Sequence, residues 1–314
     1  MKIITHNGNF HADDVFGVAT LLLHFAGEGK EPKIIRTRDA ETIKTGDIVL
    51  DVGGEYDEAR NRFDHHQIDG AGKRENGVPY ASFGLIWKKF GVAIAGGSEI
   101  SELVDKNLVQ FIDAADNGVG ELKPFVADTL PYTIDKAVDI FNPSWRDEQR
   151  DFDGWFFQAA GFASGVLKRE IQLAKEILES EEMVEQAYNN ATDKRIIILD
   201  KEYHWEEIIK KYSEPMFVIM PRLGEGDKIV WRVGAVRDSG ENFINRRDLP
   251  VEWAGKRNKE LIEVTGVADA LFCHNKLFVA YTKSKEGAIT LAELALKANA
   301  ANAAREANLC LLTN

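Results

Sequence analysis

Apolar and polar positions in the first half of the chain follow two alternating rhythms. Lys2 to Thr5 is a short apolar, β-branched run, and Lys33 to Thr37 and Asp47 to Val52 repeat the type. These read as strands, the last bounded by Gly46 and Gly53, while Val15 to Ala26 reads as a helix. Strands separated by helix-length segments indicate βαβ units and a mostly parallel sheet flanked by helices. Ser82 to Phe90 predicts a helix stopped by Gly91, and Glu99 to Ala115 a longer one with an apolar face. Phe156 to about Tyr188 is nearly continuous helix, broken by the polar run Asn189 to Lys194. A composition shift of that kind suggests a domain boundary, which divides the chain into 1–190 and 191–314. Beyond it, Arg195 to Leu199, Met216 to Met220, Ile229 to Val236 and Leu277 to Tyr281 predict strands, followed by a helix over Glu286 to Ala304. The expected fold class is α/β, with a smaller α+β C-terminal domain.

Composition narrows the class. The 314 residues are 44% hydrophobic and 29% charged, close to the globular average, which excludes collagen-like, disulfide-stapled and wholly disordered chains. Cys273 and Cys310 lack metal-ligand spacing and suit a reducing compartment. Met1 to His6 leads into polar Asn7, Gly8 and Asn9 rather than a signal core, and Val18 to Phe25 is too short to span a membrane. A cytoplasmic protein without membrane contact is expected. The net charge of -12 argues against a broad basic surface for duplex nucleic acid.

The histidines change the picture. Five of the seven, His6, His11, His24, His65 and His66, lie in the first 66 residues. THNGNFHADD supplies His6, His11, Asp13 and Asp14; VLDVGG supplies Asp51; RFDHHQ supplies Asp64, His65 and His66; DAADNG adds Asp113 and Asp116. The first three clusters sit at strand ends, and in an open parallel sheet such ends gather around one crevice. Imidazole with carboxylate suits Mn²⁺, Fe²⁺ or Zn²⁺ better than Ca²⁺. Each cluster also has a plain structural reading. Asp13 or Asp14 fits a helix N-cap, Asp51 before two glycines fits a turn, and His65-His66 fits an exposed loop. His24, on the apolar face of a helix, reads as a packing residue. No glycine-rich dinucleotide or phosphate loop follows any strand.

Asp64-His65-His66, with Asp51 and the histidine-rich first loop, resembles the DHH phosphoesterase superfamily. The strings THNGNFHADD, DVGGEYD, RFDHHQ, IDAADNG and FNPSW, together with FINRRDLPVEWAG and FCHNKLFVAYTKSKEGAI, resemble more closely the melanocyte-proliferating-gene family of metal-dependent hydrolases. The resemblance implies two divalent ions, usually Mn²⁺. It assigns His6 and His11 to one ion and Asp13 to the other, with Asp51 bridging and His65 and Asp116 completing the second site. His66 faces the scissile phosphate. The commoner superfamily pattern has Asp where His11 stands, a departure that shifts the first site towards Zn²⁺ or Fe²⁺.

In the second half the charge reverses locally. Ile229 to Lys259 holds seven cations, among them Arg232, Arg246 and Arg247, against four acids including Glu241, with Trp231, Phe243 and Trp253 interleaved. Arginine forks suit phosphate oxygens and aromatic faces suit bases. Arginines paired with nearby acids, around core tryptophans, fit the same pattern. His274 and the helix start at Ser82 and Gly84 are further candidates for substrate contact. The leading expectation is a metal-dependent exonuclease on single-stranded RNA or oligonucleotides, with a homodimer as the candidate assembly. The alternatives are a small-molecule nucleotide phosphatase, phosphodiesterase or pyrophosphatase, and a non-catalytic metal-binding protein.

Overall fold

The structure, a computed structural model, describes residues 1–120, 123–124, 127–238 and 244–312, with side chains described to residue 298. Glu241 and Phe243 of the arginine-rich segment, and the Cys310 side chain, lie outside the described residues. The chain forms two compact units, Met1–Lys175 and Glu176–Asn314.

The first unit begins β1 (Lys2–Thr5), α1 (Ala12–Gly27), β2 (Lys33–Arg36), α2 (Ala40–Lys44), β3 (Ile48–Leu50), β4 (Tyr56–Asp57) and β5 (Arg62–Phe63). Its sheet has the order β2-β1-β3-β5-β4. The β2/β1, β1/β3 and β3/β5 pairs are parallel, and β4 returns antiparallel to β5. Ile3, Ile4, Val49 and Leu50 are all buried, as expected for parallel strands covered on both faces. Strand order reverses between β1 and β3, so the carboxyl ends of β1, β3 and β5 lie side by side at the switch point where α/β sheets bind ligands.

Helices α3 (Ser82–Ala95), α4 (Ser98–Val104), α5 (Gln110–Asp116), α6 (Ile134–Asp139) and α7 (Phe152–Asn190) follow. Gly91 does not stop α3, which runs through it to Ala95. A Cβ at Gly91 would lie 2.8 Å from Ser101 Oγ and from the Trp87 ring, so this glycine lets α3 approach α4 closely. Between α4 and α5, residues Asp105–Val109 form one π-helical turn. Phe10, Phe16, Phe63, Phe83 and Phe156 are fully buried in this unit's core. His24 packs as expected, its ring 4.8 Å from Phe25 and 4.9 Å from Phe90.

The second unit holds β6 (Ile196–Ile198), α8 (Glu206–Ile209), β7 (Phe217–Leu223), β8 (Ile229–Ala235), α9 (Asn258–Thr265), β9 (Ala270–Cys273), β10 (Val279–Thr282) and α10 (Lys285–Leu312). Its sheet order is β6-β7-β8-β10-β9, antiparallel except for β6/β7. This is the smaller α+β part of the expected fold class.

The polar run expected to divide the chain does end α7 at Asn190, but the two units part earlier, inside that helix. Phe156, Ala159, Ala163, Leu167, Ile171 and Ala174 belong to the first core, whereas Val184 belongs to a core cluster of the second unit. One amphipathic pattern continues across a change of packing partner, so composition does not mark it. Among the described residues no helix is long and apolar enough to cross a membrane.

Candidate metal centre

Three of the four parallel strands of the first unit, β1, β3 and β5, deliver ligand-type residues just past their ends. His6 follows β1, Asp51 follows β3, and Asp64-His65-His66 follows β5. Asp51 turns out of its strand with φ +53°, the left-handed region that aspartate tolerates better than most residues. The first turn of α1 adds Asp13 and Asp14, and the end of α5 adds Asp116.

These side chains converge in two groups that share Asp51. In the first, His6 Nε2 lies 3.2 Å from Asp51 Oδ2 and 3.3 Å from Asp14 Oδ2. In the second, His65 Nε2 lies 3.1 Å from Asp116 Oδ2, 3.5 Å from Asp51 Oδ1 and 3.9 Å from Asp13 Oδ2. Asp51 thus turns one carboxylate oxygen to each group. His6, Asp13, Asp14, Asp51 and His65 are all buried. Asp14 Oδ2, Asp51 Oδ1 and His65 Nε2 have no hydrogen-bond partner. Buried polar atoms are normally satisfied, so orphaned ligand-type atoms aimed at one another fit a bound cation. His6, Asp14 and Asp51 form one trio with metal-ligand spacing, and Asp13, His65 and Asp116 form another.

The surroundings fix these ligands. His6 Nδ1 donates to the Asn7 carbonyl at 3.2 Å, which leaves Nε2 for the centre. Asp13 accepts from the Ser82 and Phe83 backbone N–H groups at 3.1 and 2.6 Å, at the start of α3. Asp64 accepts from the His65 and His66 N–H groups at 2.8 and 3.1 Å, from Gly54 N–H at 2.6 Å, and from His66 Nδ1 at 2.7 Å. A third trio, Asp51, His65 and His66, also has metal spacing. Asp64 competes for the nitrogen His66 would use there, so His66 reads better as an open-side group. Asn142 of FNPSW holds the first loop by accepting from Phe10 N–H at 3.0 Å and donating to Phe10 O at 2.8 Å.

Several sequence expectations fall elsewhere. His11 is in none of the trios. It is exposed at the N-cap of α1, its backbone N–H donating to Asp14 Oδ1 at 2.8 Å, with its ring 6.2 Å from that of His6. Asp14, one of the ligand-type residues of the first sequence cluster but given no ion in the assignment, groups with His6 and Asp51 where His11 was expected. Asp113 is bound by Arg74 Nη1 at 2.7 Å and Gly84 N–H at 3.0 Å, which leaves Asp116 facing His65. Ser82 is buried with its N–H committed to Asp13, so the start of α3 carries protein carboxylates rather than substrate. Arg246 donates to the carbonyls of Tyr212, Pro215 and Lys210, and Arg247 to that of Leu296, so both brace backbone rather than await phosphate. His274 is half-buried against Phe278 and accepts from Lys276 N–H at 3.0 Å. Trp253 is core. Arg232 lines two cavities of the second unit. Sequence reasoning also missed Arg38, an exposed cation just past β2. It lines a cleft of about 280 Å³ with His6, Asp51 and His66, and makes no hydrogen bond or ion pair among the described residues.

Electrostatics follow from packing acid and imidazole out of water. Burial disfavours charge on His65, yet the carboxylates of Asp116 and Asp51 that face it and the charge of Asp13 push its pKa up to about 11. Burial and the charges of Asp51 and Asp116 hold Asp13 well above the usual carboxylate range. Asp14 is raised by burial to about 7, though His6 opposes the shift. Burial acts to raise Asp51 too, but His6 and His65 reverse this and hold it low. The metal-free centre therefore carries protons at neutral pH that a ligating cation must displace. Mn²⁺ binding should release at least one proton per protein and strengthen as pH rises. Calorimetry in buffers of different ionisation enthalpy checks this; an enthalpy independent of buffer would refute it.

The model of the family MYG1_exonuc, described as Uncharacterised protein family (UPF0160), matches residues 2–296. The chain belongs to this family. Among members of the MYG1 family, the human MYG1 exonuclease is 31% identical over 332 residues, covering 94% of this chain and 85% of that protein. A Caenorhabditis elegans MYG1 protein is 28% identical over 336 residues, covering 97% of this chain and 98% of the relative. The resemblance to the melanocyte-proliferating-gene family is thereby established. RecJ of Thermus thermophilus in complex with Mn²⁺ aligns over 94% of this chain and 52% of its own, at 16% identity and a TM-score of 0.27. A likeness that distant carries no structural argument.

Proposed function

We propose that the chain is a metal-dependent, nuclease-type hydrolase that cleaves phosphodiester bonds from an end of single-stranded RNA or oligonucleotides. The supporting observation is Asp51, buried and shared between two carboxylate–histidine groups in which Asp14 Oδ2, Asp51 Oδ1 and His65 Nε2 lack partners. The family relatives named exonucleases support the choice of reaction. His6, Asp14 and Asp51 would hold one divalent ion and Asp13, Asp51, His65 and Asp116 the other, with Mn²⁺ the first choice. Two such ions would supply Lewis acidity towards phosphoryl oxygens and would activate water at neutral pH.

The chain's own residues orient and move protons around that chemistry. Asp64 accepts from His66 Nδ1 and so fixes the ring with Nε2 free. In the imidazolium form the Nε2 proton is the one given to the departing oxygen, which leaves the neutral ring still hydrogen-bonded to Asp64. Arg38 offers its guanidinium fork to a non-bridging phosphate oxygen. The Asp13 carboxylate, held by two backbone donors, cannot swing away as charge develops.

The test is a substrate panel with Mn²⁺: 5′- and 3′-labelled RNA, DNA, dinucleotides, pyrophosphate and an aryl phosphodiester. His66→Ala should lower kcat by about 10²- to 10⁴-fold, the range for a lost general acid, with metal content unchanged. A wild-type protein inert on every substrate would end the enzyme reading.

A further inference from the structure

The hairpin that follows His65 and His66 is tied to the helix that carries Asp116. Residues 72–80 fold back on themselves. Arg74 N–H donates to Val78 O at 2.8 Å, Tyr80 N–H donates to Gly72 O at 3.0 Å, and Lys73 pairs with Pro79. The Arg74 side chain is buried, its guanidinium carbon 4.3 Å from the centre of the Tyr80 ring. Its Nε and Nη2 donate to the two oxygens of Asp105 at 3.0 and 2.6 Å, and Nη1 donates to Asp113 Oδ2 at 2.7 Å. Asn76 of the same hairpin donates to Gln110 Oε1 at 2.7 Å, and Gln110 in turn donates to Asp105 Oδ2 at 2.7 Å.

The π-helical turn makes this bridge possible. Residues 98–116 wind as one helical run, with Gln110 N–H bonded five residues back to Asp105 O. At about 100° per residue, an unbroken α-helix would turn Asp113 about 80° away from Asp105. The extra residue held in the π turn takes back one step of that rotation, which brings the two carboxylates within about 20° of one line. Asp116 lies one turn beyond Asp113, on the same side of α5. The rotation that sets Asp113 against Arg74 therefore also sets Asp116 against His65, 3.1 Å away. A buried ion pair adds little net stability beside an apolar contact of equal volume, and its best-attested use is to select one register.

We propose that Arg74 is a positioning residue for the second ligand group: its bridge from Asp105 to Asp113 sets the rotation of α5 and holds Asp116 against His65. That much concerns the protein alone. The consequence for an ion held by Asp13, Asp51, His65 and Asp116 rests on the two-ion reading.

The test uses full-length Arg74→Lys, which keeps a cation beside buried Asp113 but has no fork to span to Asp105. Asp105→Ala cuts the bridge at its partly exposed end and leaves the buried Arg74–Asp113 pair whole, so it decides the question if Arg74→Lys does not fold. In crystals grown with metal chelated, Asp116 should turn away from His65 in the variant. A separation still at the wild-type value overturns the proposal. In Mn²⁺ titrations followed by calorimetry, the wild type should take two ions. The variant should lose about 10- to 100-fold in affinity for one of them, the range for a lost outer partner of a metal ligand, and keep the other. Two unchanged affinities in a folded variant overturn the proposal even if the melting temperature falls, since a bridge that only stabilises would do that. An equal loss at both ions overturns it too. A wild type that takes no second ion ends the two-ion reading and leaves the metal-free crystals to decide about Arg74.

Discussion

Asp51→Asn should abolish turnover while leaving a folded protein. The carboxylate sits between His6 and His65 with one oxygen towards each, and those two imidazoles hold its pKa low despite burial. An amide offers one oxygen and one NH₂, so it can serve one side only, and it would remove a full negative charge from between the two ions proposed there. Transition-state charge stabilisation by such ions is worth several kcal/mol, so a loss on the order of 10³-fold in kcat is expected. Stability without metal should change little, because the same charge that attracts His6 also raises Asp13 and Asp14. What should vanish is the rise in melting temperature on adding Mn²⁺, since a ligand stabilises only through the site it occupies. Thermal melts with and without metal, run beside turnover assays, check both halves. A variant with wild-type kcat would remove Asp51 from the centre.

The largest effect on stability should come from Gly84→Ala. A Cβ there would lie 1.8 Å from Asp113 Oδ2 and 2.9 Å from Arg74 Nη2. Helix interiors ordinarily welcome alanine over glycine, which makes the expected sign contrary to propensity. The methyl must separate the buried Arg74–Asp113 pair, 2.7 Å apart, and dislodge Asp113 from the Gly84 N–H. Breaking such a pair costs about 3–5 kcal/mol. For a unit of this size that is a fall on the order of 10 °C in melting temperature. A melt within a degree or two of wild type would show that the pair relaxes without cost. Asp113 also precedes Asp116 on α5, so metal affinity measured on the same variant reports whether the clamp positions that ligand.

The strands and the ligand trios were legible because they depend on local pattern plus one topological rule. Short β-branched runs end at His6, Asp51 and Asp64, and parallel pairing of their strands brings those ends together. Asp14 was legible as a candidate but not separable from a helix cap, since the same residue type in the same first turn serves both. It does both, accepting from His11 N–H with one oxygen and facing His6 with the other. Arg246 and Arg247 misled for another reason. Their partners are backbone carbonyls of Tyr212, Pro215, Lys210 and Leu296, and an acceptor present in every residue leaves no sequence signal. Gly91 stops a helix in pattern reading but serves contact with α4 in the fold.

The single helix α7 bears on how the gene can be dissected. Cutting at the polar run after Asn190 looks natural, yet a fragment starting there would lack Val184, which belongs with Ile197, Trp205 and Val218. Ala187 and Tyr188, which pack against the same cluster, would go too. Such a fragment would present a bare apolar face and tend to aggregate on expression. The workable seam runs through the helix itself, before Glu176, so that each half carries away its own stretch of the rod.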